Sequence, residues 1–212
     1  MVLKPVNGVH GHGVQVLHFE NGRFFDVNNA PVEISTLMQL WPEYKRWLIQ
    51  DRIHPHRDLV RLSGSSYLQT LRAVTFVDHD GHATVPIAWL KIITRGNVFD
   101  NFAFGASGNL LATVDLVRAN LDHVFAPGIA HHGLTLAMRH PDTDIVFADF
   151  QLPFAAETYS LVLRAAKIFM PLRTIGWDVA ITDDGPCLIE GNVTWDPGPT
   201  LHDLRAIVAA FV

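Results

Sequence analysis

The sequence predicts an α+β protein with antiparallel sheets, because hairpin signals recur along the chain and helical signals are few. Asn21 with Gly22, and Asp80 with Gly81, each form turn pairs between two β-prone runs, and a third turn signal occupies residues 183–185. Helical patterns cover residues 33–41, 155–170 and 199–211, each preceded by a proline or ended by one.

The N-terminal part predicts a strand, a glycine loop and a second strand. A short apolar run ends at Lys4, and Gly8, Gly11 and Gly13 lead into a β-prone run over residues 14–19. The glycine spacing matches neither the P-loop nor the dinucleotide fingerprint. Backbone N–H groups of such a loop can close over phosphates, with Lys4 as a charge beside them. An ordinary glycine-rich hairpin with a solvated lysine fits the same residues.

The middle of the chain predicts a short strand over residues 47–51, a loop at residues 54–58 and a hairpin formed by residues 67–77 and 83–94. Arg72 lies between apolar neighbours in the first arm of this hairpin, where it is either a phosphate ligand or an edge-strand charge. Residues 126–143 are rich in Gly, Pro and His and predict a long loop, which in a compact domain is usually functional or mobile.

The last hairpin carries the most specific chemistry. Asp178, Glu190 and Asn192 are hard oxygen donors, which suit Mg²⁺ together with substrate phosphates. A two-residue turn at Asp184 and Gly185 would send Asp178 to the opposite face, whereas a three-residue turn over 183–185 pairs position 178 with 190. We expect the second register, with all three donors on one face. The alternative is that the acidic residues merely solvate a surface hairpin.

These segments resemble the ATP-grasp superfamily, and within it the sugar-transfer-associated ATP-grasp proteins. The resemblance covers nearly the whole chain and is carried, in the family's order, by residues 4–13, 47–56, 68–75, 100–102, 140–143 and 175–192. It implies two α+β lobes with antiparallel sheets that hold ATP between them. Residues 1–52 would form a partial lid with the lysine strand and glycine loop, and residues 53–212 would form the large lobe with the magnesium site.

The resemblance also implies roles for individual residues. Arg72 would face the transferring phosphate. Contacts to ATP would come from Lys4, Gly11 and Gly13 at the phosphates, and from Gln50, Asp51 and Ile53 at the adenine. Magnesium ligands would be Asp178, Glu190 and Asn192.

The implied activity is that of an ATP- and Mg²⁺-dependent ligase, which activates a carboxylate as an acyl phosphate for attack by an amine. Its substrate would be a small molecule, a saccharide or a peptide, and its setting polysaccharide or cell-surface biosynthesis. Two alternatives remain open: a phosphotransferase acting on a hydroxyl, and a nucleotide-binding module without turnover.

One departure from the family concerns the lid. Family members have a further N-terminal domain and the first part of the lid ahead of the lysine strand, whereas Lys4 here follows closely on Met1. The sequence therefore leads us to expect an incomplete lid, completed by self-association or by a partner chain.

Composition limits the partners and the compartment. The net charge is −5 and the 16 Lys and Arg residues are scattered, which argues against a nucleic-acid partner. No apolar run approaches the roughly 18 residues that span a bilayer, and no leader pattern follows Met1, so we expect a cytoplasmic protein without a membrane span. The single cysteine, Cys187, lies in an apolar run and is expected to be buried.

Overall fold

Every strand pairing described here is antiparallel, as the hairpin signals predict. A computed structural model of the chain describes residues 1–7, 12–128, 133–198, 205 and 209. The contacts divide the chain into two compact units, Met1–Ile53 and His54–Val212. Among the described residues, no helix is both long and apolar enough to cross a membrane.

In its described part, the first unit contains two small sheets and one short helix. One sheet has the order β2-β1-β6, and the other has the order β3-β4-β5. Their strands are β1 (Val2–Pro5), β2 (Gln15–Val16), β3 (His18–Glu20), β4 (Arg23–Phe25), β5 (Pro31–Val32) and β6 (Trp47–Gln50). Helix α1 (Ile34–Gln39) lies between β5 and β6 in the chain and contributes Leu37 to a small core with Leu3 and Leu17.

The turn between β3 and β4 confirms the first hairpin prediction. Asn21 and Gly22 both have positive φ, at 49° and 78°, which is what a two-residue type I′ turn requires. His18 then pairs with Phe25 and Glu20 with Arg23, so the turn sets the register of the pair.

The second unit is built on one seven-stranded sheet with the order β11-β10-β9-β8-β7-β12-β13. Its strands are β7 (Thr70–Val77), β8 (Ala83–Ile92), β9 (Leu110–Asp115), β10 (Asn120–Pro127), β11 (Leu134–Leu136), β12 (Thr174–Thr182) and β13 (Gly185–Asn192). Within the described residues, the same unit also contains the helices α2 (Arg57–Ser63) and α3 (Ala155–Ile168).

The two faces of this sheet differ, because side chains alternate along each strand. Residues such as Leu71 and Val179 pack with Leu59 of α2 and Val162 of α3 into the main core. The opposite face carries a smaller apolar cluster that includes Val74, Ile87, Trp89 and Leu111. This second face also carries the polar residues of the candidate site.

Some predicted elements differ from the structure. Residues 54–58 were expected to be a loop, but α2 begins at Arg57, where the ring of His56 accepts the N–H of Asp58, and it ends at Gly64 with φ 70°. The loop predicted over 126–143 is partly strand, since β11 pairs with β10. Cys187 is exposed rather than buried, because β13 is an edge strand. The helix predicted over 199–211 lies almost entirely outside the described residues.

Candidate active site

Four charged side chains form a row across neighbouring strands of the large sheet. Arg72 on β7 pairs with Asp178 on β12, which pairs in turn with Glu190 on β13. Lys91 on β8 completes the set, with its Nζ 3.6 Å from Oδ2 of Asp178. We call these four residues the charged row. Because directly paired residues share a face, the row lies on the face opposite α2 and α3.

The predicted pairing of Asp178 with Glu190 is confirmed, but the predicted three-residue turn is wrong. Thr182 pairs with Gly185, so the turn consists of the two residues 183 and 184. The register then shifts between positions 178 and 179. Val179 pairs with Leu188 while Asp178 pairs with Glu190, which leaves Ile189 as the extra residue of a β-bulge. The bulge, rather than the turn, brings the two carboxylates to one face.

Arg72 holds Asp178 through a two-pronged ion pair. Its Nε donates to Oδ1 at 2.5 Å and its Nη2 donates to Oδ2 at 2.8 Å. The side chains of Arg72 and Asp178 are only 15% and 8% exposed. Two parallel hydrogen bonds of this kind orient the carboxylate of Asp178 as well as neutralising its charge.

The electrostatics keep Asp178 ionised. Burial by itself raises the pKa of a carboxyl group, but the hydrogen bonds from Arg72 and the charges of Lys91 and Arg72 lower the pKa of Asp178 below its usual value. Burial likewise opposes the charge on Arg72, but its bonds to Asp178 and the charges of Asp178, Glu190 and Asp100 raise the pKa of Arg72. Both groups are therefore charged at neutral pH.

Asn192 lies beside the row at the end of β13. Its Nδ2 donates to the carbonyl oxygen of Gly176 at 3.3 Å and to Oε1 of Glu190 at 3.4 Å. Glu190 itself is exposed, whereas Asn192 is half-buried. The three oxygen donors predicted from the sequence therefore lie close together on the sheet face opposite α2 and α3. Asp178 is the buried member of the three.

A comparison with protein families identifies the chain. The model of the sugar-transfer-associated ATP-grasp family matches residues 1–204. The chain belongs to the sugar-transfer-associated ATP-grasp family. A search of curated proteins finds no significant match. The α+β architecture and the antiparallel sheets are those of the ATP-grasp fold, and ATP-grasp proteins are ATP-dependent enzymes that generally use Mg²⁺.

The residues around the row fit the magnesium ion that ATP-grasp enzymes use. Arg72 and Lys91 occupy only part of the acceptor capacity of Asp178, since a carboxylate offers about four lone-pair sites. Glu190 is accessible to solvent, and the amide of Asn192 offers a further oxygen. Two carboxylates and an amide are donors that Mg²⁺ prefers.

Another group with possible metal ligands has a simpler explanation. Ligand atoms of Asp78, Asp80 and His82 lie within 4.8 Å of one another at the β7–β8 turn. Oδ1 of Asp78 accepts the backbone N–H groups of Asp80 and His82, which is the arrangement of a tight turn closed by its own carboxylate. The turn itself accounts for this cluster.

Two residues near the site were given no role by the sequence analysis, although residues 100–102 are among the segments that carry the family resemblance. Lys91 is half-buried at 17% side-chain exposure, and the signal was a lone charge near the end of the apolar strand that pairs with the Arg72 strand. Asp100 acts from a loop, where its Oδ2 accepts the N–H and the hydroxyl of Thr70 at 2.7 and 2.6 Å. No spacing in the sequence connects Asp100 to the hairpin of Asp178.

The predicted ATP-grasp residues of the first unit gather on its β2-β1-β6 sheet. Lys4 pairs with Leu48, and Val2 pairs with Gln50, so Lys4 and Gln50 lie on the same face, opposite the buried Leu3. Asp51 is exposed and Ile53 is half-buried just beyond β6. Gly11 lies outside the described residues.

Gly13 has a packing role that the sequence did not indicate. Its φ is 77°, and a Cβ placed on it would lie 2.8 Å from Cγ of Pro5 on β1. The glycine therefore allows a close approach between the end of the loop and the lysine strand.

We expect Gly13→Ala to lower the free energy of unfolding by about 2 to 3 kcal/mol, since it combines left-handed strain with overpacking against Pro5. Gly22→Ala is the matched control: its φ is 78°, but no atom of the described residues lies within 4 Å of the added Cβ. It should cost about 1 kcal/mol. Urea unfolding of both variants measures the difference, and equal losses would show that contact with Pro5 is unimportant.

Proposed function

We propose that this protein is an ATP- and Mg²⁺-dependent ligase that joins a carboxylate to an amine through an acyl phosphate, in polysaccharide or cell-surface biosynthesis. The observation that carries the proposal is the charged row with Asn192 at its end. It gathers two cations, two carboxylates and an amide on one face of a sheet that is otherwise largely apolar there. Phosphoryl transfer depends mainly on such charge neutralisation and positioning, with little covalent help from the protein.

In this proposal, Asp178, Glu190 and Asn192 hold Mg²⁺. When bound, the ion would neutralise phosphate charge and orient the transferred group. Arg72 and Lys91 keep Asp178 ionised and fixed, so the buried carboxylate does not need to reorganise when the ion binds. Preorganisation of this kind is a main source of electrostatic catalysis.

Arg72 has a second role in the proposal. Its Nε and Nη2 bind Asp178, but Nη1 has no hydrogen-bond partner in the part of the chain that the structure describes. We assign Nη1 to the transferring phosphate. One guanidinium can serve both groups because it carries five N–H donors in a rigid plane.

The first unit would contribute the remaining nucleotide contacts. We propose that Lys4 and the glycine loop with Gly11 and Gly13 act as a lid over the phosphates, and that the backbone of Gln50, Asp51 and Ile53 contacts the adenine. The shared face of Lys4 and Gln50 on one small sheet supports this assignment.

The reaction balances as two transfers. A substrate carboxylate oxygen attacks the γ-phosphorus of ATP, and the bond to the bridging oxygen breaks and releases ADP. The amine nitrogen then attacks the acyl carbon, inorganic phosphate leaves with the carbon–oxygen electron pair, and the nitrogen loses a proton to solvent. Each turnover therefore yields one ADP, one phosphate and one amide.

Hydroxylamine offers a direct test, because it traps acyl phosphates as hydroxamates. Incubation with Mg-ATP, hydroxylamine and a panel of carboxylates should give hydroxamate, ADP and phosphate in equal amounts. A hydroxyl phosphotransferase would instead give ADP and a phosphorylated alcohol without free phosphate, and a binding module would give no ADP. Reactions without carboxylate correct for plain ATP hydrolysis. ADP formation without hydroxamate across the panel would contradict the ligase proposal.

A further inference from the structure

The end of helix α3 presents an uninterrupted run of exposed apolar residues. We call residues 168–172 the apolar turn, which contains Ile168, Phe169, Met170, Pro171 and Leu172. All five are exposed, and the four largest of them are 45% to 77% exposed. In the described part of the chain, the other exposed large apolar residues are isolated in sequence or form one pair. Single exposed apolar residues are ordinary, but a run of five is uncommon unless it has a binding role.

Hydrogen bonds and ring packing hold the apolar turn in a fixed conformation. The N–H of Phe169 donates to the carbonyl oxygen of Ala165 at 3.1 Å, and the N–H of Leu172 donates to the carbonyl oxygen of Phe169 at 3.0 Å. The ring of Phe169 packs edge-on against the buried Trp177, with the ring centroids 5.3 Å apart. The remaining apolar side chains therefore project outward from an anchored backbone, where a partner can reach them.

The size of this surface favours a bilayer over a second copy of the chain. A stable protein interface buries roughly 800 Å² on each partner. Five partly exposed side chains supply only a few hundred Å², which is the size of an ordinary apolar patch. A bilayer requires no matching surface, because a few apolar side chains can enter the boundary between its headgroups and acyl chains.

Cationic side chains flank the apolar turn on both sides. Arg164 and Lys167 are exposed on the last two turns of α3, where the sequence has no acidic residue. Arg173 follows the turn directly, and its Nε donates to the carbonyl oxygen of Val77 at 2.9 Å. Positive charge beside an exposed apolar surface is complementary to a bilayer with anionic headgroups.

The acidic residues of the adjoining β7–β8 turn are fewer than these cations. They are Asp78 and Asp80, and Oδ1 of Asp78 accepts the N–H groups of Asp80 and His82 in the same turn. Oδ2 of Asp78 also lies 3.4 Å from Nδ1 of His82. His79 and His82 add positive charge to this turn when they are protonated. Three permanent cations and two carboxylates leave a positive balance along these neighbouring segments.

We propose that the apolar turn binds the surface of a bilayer that contains anionic phospholipid. Ile168, Met170 and Leu172 enter the acyl boundary, while Arg164 and Lys167 contact the headgroups. This attachment places the protein on the bilayer surface and does not span it. It requires neither nucleotide nor turnover, so it is tested independently of the proposed ligase activity.

The first test measures sedimentation of the full chain with vesicles, without nucleotide. The vesicles contain phosphatidylcholine and phosphatidylglycerol in equal parts, or phosphatidylcholine alone. The wild type should bind the mixed vesicles at least about tenfold more tightly than the phosphatidylcholine vesicles, because two or more cations face the anionic headgroups. Equal binding to both kinds of vesicle, or no binding to either, would overturn the proposal.

The apolar contribution is tested with Ile168→Ser combined with Met170→Ser. This pair should weaken binding to the mixed vesicles at least about tenfold, since it removes two side chains from the acyl boundary. Val117→Ser combined with Met138→Ser is the matched control, because these residues are 83% and 71% exposed at other places in the second unit. The control should change binding less than about twofold. An equal loss in both pairs would contradict binding through the apolar turn.

The cationic contribution is tested with Arg164→Gln combined with Lys167→Gln. Each cation near an anionic surface contributes about fivefold, so this pair should weaken binding to the mixed vesicles at least about tenfold. Lys45→Gln combined with Arg46→Gln removes the same charge from exposed residues of the first unit and should change binding less than about twofold. Equal effects of the two pairs would show that net charge, and not this surface, governs binding.

Hydrogen exchange locates the surface on the wild-type chain. Mixed vesicles should protect residues 168–173 and leave residues 110–120 unchanged, and the opposite pattern would overturn the proposal. Sedimentation velocity without vesicles tests the second copy as occupant. Self-association of the wild type that is abolished by Ile168→Ser with Met170→Ser would assign the apolar turn to a protein interface and overturn the bilayer proposal.

Discussion

Asp178→Asn is expected to lower the free energy of unfolding by about 3 kcal/mol, because it leaves two mostly buried cations without their negative partner. Arg72 and Lys91 both converge on this carboxylate, at side-chain exposures of 15% and 17%. An asparagine keeps the shape of the side chain but supplies no charge. Urea denaturation followed by tryptophan fluorescence measures the loss.

Asp183→Asn provides a matched control on the same hairpin. Asp183 also accepts two side-chain bonds from one arginine, Arg57, and a third from its backbone N–H, but both side chains are largely exposed at 47% and 77%. Its loss should cost much less than the loss of Asp178, because solvent screens an exposed ion pair. Combining Asp178→Asn with Arg72→Gln should cost less than the sum of the single changes. Equal losses for Asp178 and Asp183, or full additivity with Arg72, would contradict the buried ion pair.

The same pair predicts the acid response of the protein. The pKa of Asp178 is lowered on folding, so its stabilising contribution is complete above the unfolded value of 3.8 and is lost as the pH falls through the folded value. The wild type should therefore lose more stability than Asp178→Asn on acidification below that pH. Parallel urea titrations at decreasing pH measure this difference.

Glu190→Gln is expected to leave stability nearly unchanged and to reduce ADP formation at least about 100-fold, as loss of a group that stabilises transition-state charge does. Glu190 is exposed, so an amide in its place leaves no buried charge behind. In the proposed site, however, it is one of two carboxylate ligands of Mg²⁺. Steady-state ADP release and urea unfolding separate these two effects.

Glu157→Gln is the control for Glu190. Glu157 is an exposed glutamate in the first turn of α3, away from the charged row. Its replacement should change neither ADP release nor the Mg²⁺ dependence. A Glu190 variant that keeps wild-type turnover would remove this residue from the proposed magnesium site.

The candidate site illustrates what sequence can and cannot specify. The shared face of Asp178 and Glu190 was predicted correctly, but from a three-residue turn that the hairpin does not have. The β-bulge that brings the two carboxylates to one face was not predictable, because the extra residue Ile189 depends on packing across the sheet. A Cβ on Gly191 would lie 2.9 Å from the ring of Trp177, so this register requires a glycine at position 191. The requirement is visible only in the folded structure, where Trp177 packs against this position.

The residues missed from sequence have a common physical reason. Lys91 and Asp100 reach the site through contacts between segments far apart in the chain, with Asp100 binding Thr70 across 30 positions. Residue patterns within a short stretch of sequence do not indicate such long-range contacts. The helix α2 was missed for a related reason: it has seven residues, and its start is stabilised by the ring of His56, which is an uncommon cap. The family resemblance assigned Gly13 to the phosphates; its close approach to Pro5 on β1 is a separate feature that only the folded chain shows.

The most direct test of a magnesium–nucleotide site at the charged row is calorimetry of ADP binding with and without Mg²⁺. The wild type should bind ADP at least about tenfold more tightly in the presence of the ion, the effect expected when a metal bridges carboxylates and phosphates. Glu190→Gln should lose this enhancement while keeping the affinity for ADP alone. Equal affinities with and without Mg²⁺ in the wild type, or an unchanged enhancement in Glu190→Gln, would contradict the proposed site.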